Sequence, residues 1–212
     1  MKTIEIWADF ACPYCYMEEK QLADIIEKAG ISEEVKIRFL SYELDPKAPA
    51  VPVETMTQHF MSGHDYTEEE SQHLMERITK MASRVGLDYK LASTQVCNTY
   101  SAHRLMEYAQ QKYPFPTVLK LNFAIFHANF IENLRISDHS VLLTIAQSCG
   151  LDKEEVEKVL GSDMYGEQVR AEEKEVDARK DFDLIPYMIF NNSEVLQGVI
   201  SPGAMKKALG LL

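Results

Sequence analysis

The sequence predicts an α/β protein in which a small sheet-and-helix unit is interrupted by an all-helical insertion. Three observations predict it. A β-branched run at 3–7 leads into a helical pattern and then into a second alternating apolar run at 35–40. From about residue 53 to 182 the patterning is helical throughout. After Asp183, β-type runs return at 187–190 and 194–198, and a short helical pattern closes the chain.

Thr3-Ile4-Glu5-Ile6-Trp7 reads as a strand. The helix after it is expected from about Cys12 to Ala29, with Met17, Leu22, Ile25 and Ile26 turned inward and Gly30 as its stop. Val35 to Leu40 is the next strand, so the opening is β-α-β, with parallel strands joined by a right-handed crossover. Pro46, Pro49 and Pro52 then exclude helix and central strand and mark a connector. In the insertion, Leu74, Ile78, Met81 and Val85 recur behind the acidic first turn Thr67-Glu68-Glu69-Glu70, and Gly86 ends that helix. Further helices are expected over about Thr99–Lys112, with Ala102, Met106, Ala109 and Tyr113 on one stripe, and from near Thr117, containing Leu121, Ile125 and Phe126. Ser137 is expected to cap another through Cys149, and Asp152 a short one to Leu160. The last, Ser162 to Lys180, is highly charged and expected to be solvated over most of its surface. Asn191-Asn192-Ser193 turns a hairpin, and Ser201-Pro202 opens the final helix. Residues 1–52 and 182–212 thus form one discontinuous unit, and 53–181 the helical insertion.

At 212 residues the chain has the size of one large domain or one domain with an insertion, able to bury roughly 70% of its unfolded surface. Its 46% apolar and 26% charged residues are those of an ordinary globular protein. A net charge of -11 without a Lys/Arg cluster argues against nucleic-acid and anionic-membrane partners. There is no run of about 18 apolar residues, and Met1-Lys2-Thr3 leads directly into the first strand, so a cytoplasmic location is expected. There, a close cysteine pair points to catalysis or redox sensing rather than to a structural disulfide.

That pair is Cys12-Pro13-Tyr14-Cys15, at the junction of the first strand and first helix. Spacing i, i+3 on a first helical turn puts both sulfurs on one face, within reach of a disulfide. The N-H groups and dipole of the helix end favour thiolate on Cys12. A free cysteine with a pKa near 8.5 is only about 3% thiolate at pH 7, whereas a pKa of about 6 makes it roughly 90% thiolate. Cys12 is therefore expected to be the nucleophile, and the more shielded Cys15 the resolving thiol. Pro13 suits the first turn, and Tyr14 sets a ring beside the dithiol. The competing chemistry is zinc, since C-x2-C is also half of many zinc motifs. His59 and His64 have a permissible spacing but lie far from the pair, and Cys97 and Cys149 form no second one, so no metal is expected.

The order β-α-β, helical insert, β-β-α is that of a thioredoxin-like fold with an inserted all-helical domain. The sequence resembles the DsbA family of thiol-disulfide oxidoreductases, and within it the FrnE-like branch. The resemblance is carried by residues 9–16 (Asp9-Phe10-Ala11-Cys12-Pro13-Tyr14-Cys15-Tyr16), 42–46 (Tyr42-Glu43-Leu44-Asp45-Pro46), 97–105 (Cys97 through His103 to Leu105), and Ile185-Pro186-Tyr187 with Gly198 and Pro202. The family commonly has tryptophan where Tyr14 stands and a smaller β-branched residue where Ile185 stands. The resemblance implies that Pro186 is cis and lies beside Cys12, with the Ile185 backbone offered to a substrate strand. It implies no cofactor beyond the redox-active disulfide, protein or small-molecule thiols and disulfides as partners, and glutathione as a candidate co-substrate.

Resolution by Cys15 requires a proton acceptor. Glu5 is one candidate, on a strand expected to be buried on both faces; Asp9 is the other, although an aspartate near a helix start more often caps a local turn. Of the histidines, His103 alone stands out, and Cys97 and Cys149 are expected to be buried free thiols. Two rivals to disulfide exchange share this architecture. A glutathione-dependent isomerase or transferase typically has serine in place of Cys12, and a non-enzymatic redox-switched binding module would not turn over.

Overall fold

The structure, a computed structural model, describes residues 1–63 and 66–212; His64, the second histidine of the spacing weighed for zinc, lies outside the described residues. Strand β1 (Lys2–Ala8) leads into α1 (Pro13–Ala29) and β2 (Val35–Ser41). The helical stretch comprises α2 (Met56–Gly63), α3 (Glu68–Ser83), α4 (Tyr100–Lys112), α5 (Phe115–Phe130), α6 (His139–Ser148), α7 (Lys153–Leu160) and α8 (Gly166–Asp177). Strands β3 (Tyr187–Phe190) and β4 (Glu194–Gln197) and helix α9 (Pro202–Ala208) complete the chain. The sheet order is β2-β1-β3-β4, with β1 and β2 parallel from Lys2↔Val35 to Ala8↔Ser41 and the other pairs antiparallel. This is the α/β thioredoxin-like class, with a helical insert, that the element order predicts.

Side-chain alternation splits the sheet between two cores. Ile4, Ile6, Ala8 and Phe39 join the large core with α1 and the inserted helices. Trp7, Leu40, Tyr187 and Ile189 face the other way, onto Val176 of α8. Trp7 Nε1 donates to the Glu172 carbonyl at 3.0 Å, which ties α8 to the middle of the sheet. Helix α1 ends where expected, with Gly30 left-handed at φ 68. Asn191 and Asn192, at φ 51 and 57, supply the two positive φ values of a tight hairpin turn.

Several expectations are corrected. The solvated helix at 162–180 is shorter, Gly166–Asp177, and is a packing element: Glu172 is buried, accepting from the Ser41 N-H at 2.8 Å and from Arg38 at 2.9 Å. Glu167, Lys174, Glu175 and Asp177 are exposed as expected, but the partners of Glu172 lie on β2, more than a hundred residues earlier, where the helix's own pattern does not show them. Asp138, not Ser137, caps α6; Ser137 instead donates to the Ala50 carbonyl. Helix α3 has the expected acidic first turn, which the structure closes with a capping box between Thr67 and Glu70, but its buried stripe is Ser71, Met75, Ile78 and Ala82, leaving Leu74, Met81 and Val85 at the margin. Helix α5 starts two residues before Thr117, and the sequence pattern does not separate α2 from the rest of the helical stretch. Glu5 is not buried on both faces: its side chain is 31% exposed and 3.9 Å from Arg38, its register partner on β2.

Candidate active site

Cys12 has extended backbone, φ -92 and ψ 113, and caps α1; its N-H donates to the Asp9 carbonyl at 3.0 Å. Pro13 occupies the first turn, where a missing N-H leaves no bond unmade. Cys15 follows one turn later, and both cysteines are free thiols. Their environments differ. Cys12 is 4% exposed and opens onto a cleft of about 520 Å³, whereas Cys15 is 0% exposed. Burial pushes the Cys15 thiol well above its usual range, and its hydrogen bond to Cys12 and the nearby Cys12 and Glu19 charges push the same way. The Asp9 backbone N-H opposes them. Tyr14 beside the pair is also raised, by burial first and then by the charge of Cys12, with Arg77 acting against both.

The insertion holds the loop before α1 at three points. The His103 Nε2 of α4 lies 3.3 Å from Asp9 Oδ1, the Asn129 amide of α5 donates to the Phe10 carbonyl at 3.0 Å, and the Tyr89 hydroxyl donates to the Pro13 carbonyl at 2.7 Å. Asp9 is 1% exposed and also accepts from the Ala11 N-H at 3.1 Å and the Leu44 N-H at 2.7 Å. It serves as the local turn acceptor expected of it and joins α4 to the loop as well. Phe10 and Tyr16 pack on Phe126, with ring centroids 4.8 and 5.1 Å apart.

The other candidate residues fall as follows. Glu5, mid-strand, shares a groove with Arg38 and Gln110 that contains neither cysteine. Ile185 and Pro186 precede β3, whose Tyr187 pairs with Trp7, so they lie at the end of the sheet where β1 runs out toward Cys12. Their peptide bond is cis, and the Pro186 carbonyl accepts from the Gly198 N-H at 3.0 Å. Cys97 lines the Cys12 cleft, and Cys149 is buried at the end of α6. Among the described residues no three His, Cys, Asp or Glu side chains form a metal-binding group. None of their helices is long and apolar enough to cross a membrane.

One acid next to the dithiol is not among the residues the sequence singles out. Glu19 lies one turn beyond Cys15 on α1 and is 3% exposed; burial raises its carboxyl to about 8, while the amide of Asn122 on α5, donating to Oε2, lowers it. Its Oε1 has no hydrogen-bond partner among the described residues. The signal was in the sequence, since Glu19 falls on the same stripe as Cys15, Leu22 and Ile26, where an acid is out of place. Asn122 and Asn129 likewise interrupt the apolar stripe of α5. Tyr89 had no comparable signal, because it lies outside the helices and strands.

A model of the DSBA-like thioredoxin domain matches residues 3–210. The chain belongs to this family. It is similar to the probable DsbA oxidoreductase SCO1869 from Streptomyces coelicolor, at 25% identity and a TM-score of 0.89, over 99% of this chain and 91% of that one. Its fold is also that of 2-hydroxychromene-2-carboxylate isomerase, at 15% identity and a TM-score of 0.71, over 98% of this chain and 94% of that one. The same holds for the cytosolic disulfide reductase DsbM from Pseudomonas aeruginosa, at 17% identity and a TM-score of 0.67, over 98% and 97%. DsbM has also been solved with GSH.

Proposed function

We propose that this DsbA-family protein is a thiol-disulfide oxidoreductase working through Cys12 and Cys15, with FrnE-like character carried by the four matching stretches. The observation that carries the proposal is the asymmetry of the pair: Cys12 opens onto a cleft, and Cys15 is sealed behind it with its proton held tightly. The Cys12 thiolate attacks a substrate disulfide RS–SR′, forming Cys12–S–S–R and releasing R′S⁻. Cys15 then loses its proton and attacks Cys12 Sγ, closing the Cys12–Cys15 disulfide and releasing RS⁻. Two electrons pass to the substrate, and a thiol reductant reopens the ring.

Glu19 is the acceptor this scheme assigns to the Cys15 proton. A carboxyl that titrates near 8 has the basicity such a transfer needs, and the nearby Glu19 charge is among the causes that raise the Cys15 thiol. Pro13 and Tyr14 shape the dithiol turn, and Ile185 and Pro186 offer backbone to substrate from the same end of the sheet. Protein or small-molecule disulfides are the substrates of this scheme. A thiol of the glutathione class is a candidate co-substrate, which the DsbM structure with GSH supports. A cytoplasmic setting is supported by DsbM, a cytosolic reductase of the same fold. The isomerase alternative has a fold likeness in its favour, but two thiols one helical turn apart suit exchange better.

Replacing Cys12→Ser is expected to abolish reduction of a generic disulfide, and Cys15→Ser to accumulate mixed disulfides through Cys12, counted by intact mass under non-reducing conditions. Normal turnover by Cys15→Ser, or preferential alkylation of Cys15 at pH 6, would show the roles to be wrong.

A further inference from the structure

We propose that the cleft beside Cys12 selects small uncharged disulfides with an apolar, ring-sized substituent, and discriminates against glutathione disulfide. The inference rests on the exchange chemistry above and specifies its substrate. At about 520 Å³ the cleft lies in the ~300–1,000 Å³ range of small-molecule sites. Its far wall is built from Met56 and Phe60 of α2, Leu74, Met75 and Ile78 of α3, and Val96. Two flexible thioethers and an aromatic ring in one wall suit a flat apolar group.

Charge makes the second half of the case. Each half of glutathione disulfide has two carboxylates against one ammonium, so recognition calls for cations. None of the described residues lining the cleft is Lys or Arg. Its ionisable groups are mostly acids or are held by acids: Asp9 is bonded to Ala11, Leu44 and His103, Asp45 accepts from the Lys47 N-H, and His59 Nδ1 lies 2.8 Å from Glu54. Arg77, the cation felt by Tyr14, is on α3 but outside the lining. Neither Ile185 nor Pro186 lines the cleft, so it is a subsite separate from the backbone they present. One half of the substrate leaves as a thiol when Cys12 attacks and the bound half leaves with its sulfur when Cys15 closes the ring, so the products are two small thiols and the Cys12–Cys15 disulfide, and no further reactant is needed in a single turnover.

The test is single-turnover oxidation of the fully reduced protein by 4,4′-dithiodipyridine (neutral, aromatic), bis(2-hydroxyethyl) disulfide (neutral, small) and glutathione disulfide. Each rate is divided by that of N-acetylcysteine with the same disulfide, which cancels intrinsic reactivity. High salt screens the net charge of the whole chain. The normalised rate should be highest for the aromatic disulfide, exceeding that for glutathione disulfide by about tenfold or more, the factor expected for burying a ring-sized apolar group. Leu74→Arg, which sets a cation in the apolar wall, should narrow that ratio. Equal normalised rates, or preference for glutathione disulfide, would overturn the inference while leaving exchange through Cys12 intact. Failure to oxidise Cys12 with any of the three would instead overturn the exchange chemistry itself. The wild-type comparison decides the matter even if Leu74→Arg does not fold.

Discussion

Glu19 shows how a single residue couples chemistry to packing. Its carboxyl is buried against Asn122, one turn from Cys15, and is neutral below about pH 8. Only its ionised form can take a proton, so the resolving step should accelerate as pH rises through about 8. Glu19→Gln keeps an acceptor for Asn122 but has no titrating group, so it should remove this inflection and leave only the later rise from Cys15 itself. Stopped-flow release of the second thiol as a function of pH checks this, and an unchanged profile would place the proton acceptor elsewhere. His103 and Asp9 act differently: they hold the loop, and Asp9 already has three polar partners.

Among the elements, α8 is the one whose role departs most from its composition. It closes the second face of the sheet through Val176, the Glu172 carbonyl and the Glu172 carboxylate. Its first residue is under the tightest constraint. A Cβ on Gly166 would come within 2.2 Å of the Tyr100 hydroxyl and 2.7 Å of Asp163 Oδ1, and these two groups hydrogen-bond each other at 2.7 Å. Gly166→Ala should therefore push Tyr100 off Asp163 and unseat the start of α8, costing about 1–3 kcal/mol, the range of overpacking in a well-packed site. Urea unfolding measures it. Wild-type stability in the variant would mean that the turn at Tyr165 yields without loss.

At the scale of the whole molecule, the seam between the sheet and the helices is crossed by buried acids. Glu107 of α4 faces Glu172 of α8, and its carboxyl is raised to about 8, first by burial and then by the Glu172 charge, with Arg38 opposing. A carboxyl whose folded pKa exceeds its unfolded value of about 4.5 stabilises fully below pH 4.5. That contribution is lost as pH rises toward 8, because the unfolded chain ionises first. Glu107→Gln, which keeps an acceptor for the Gln110 amide, should match wild type near pH 4.5. It should gain on wild type on the order of 1–3 kcal/mol by pH 8. Denaturant midpoints at pH 4.5, 6 and 8 test the sign, and a difference independent of pH would refute the linkage.

Local pattern by itself determined the fold class and the order of the elements other than α2, the Cys12/Cys15 pair at a helix start, the cap at Gly30 and the Asn191-Asn192 hairpin. These depend on residues within a turn or two of one another: apolar period, capping chemistry, positive φ and the i, i+3 geometry of two thiols. Only the tertiary structure decided that Glu5 is half-exposed opposite Arg38, that α8 is a packing helix, and that Tyr89, His103 and Asn129 reach across from the insertion to hold residues 9–13. Each of these depends on a partner distant in the chain. The face a strand buries and the partner a polar group finds are set by what packs against them, and a one-dimensional pattern does not contain that.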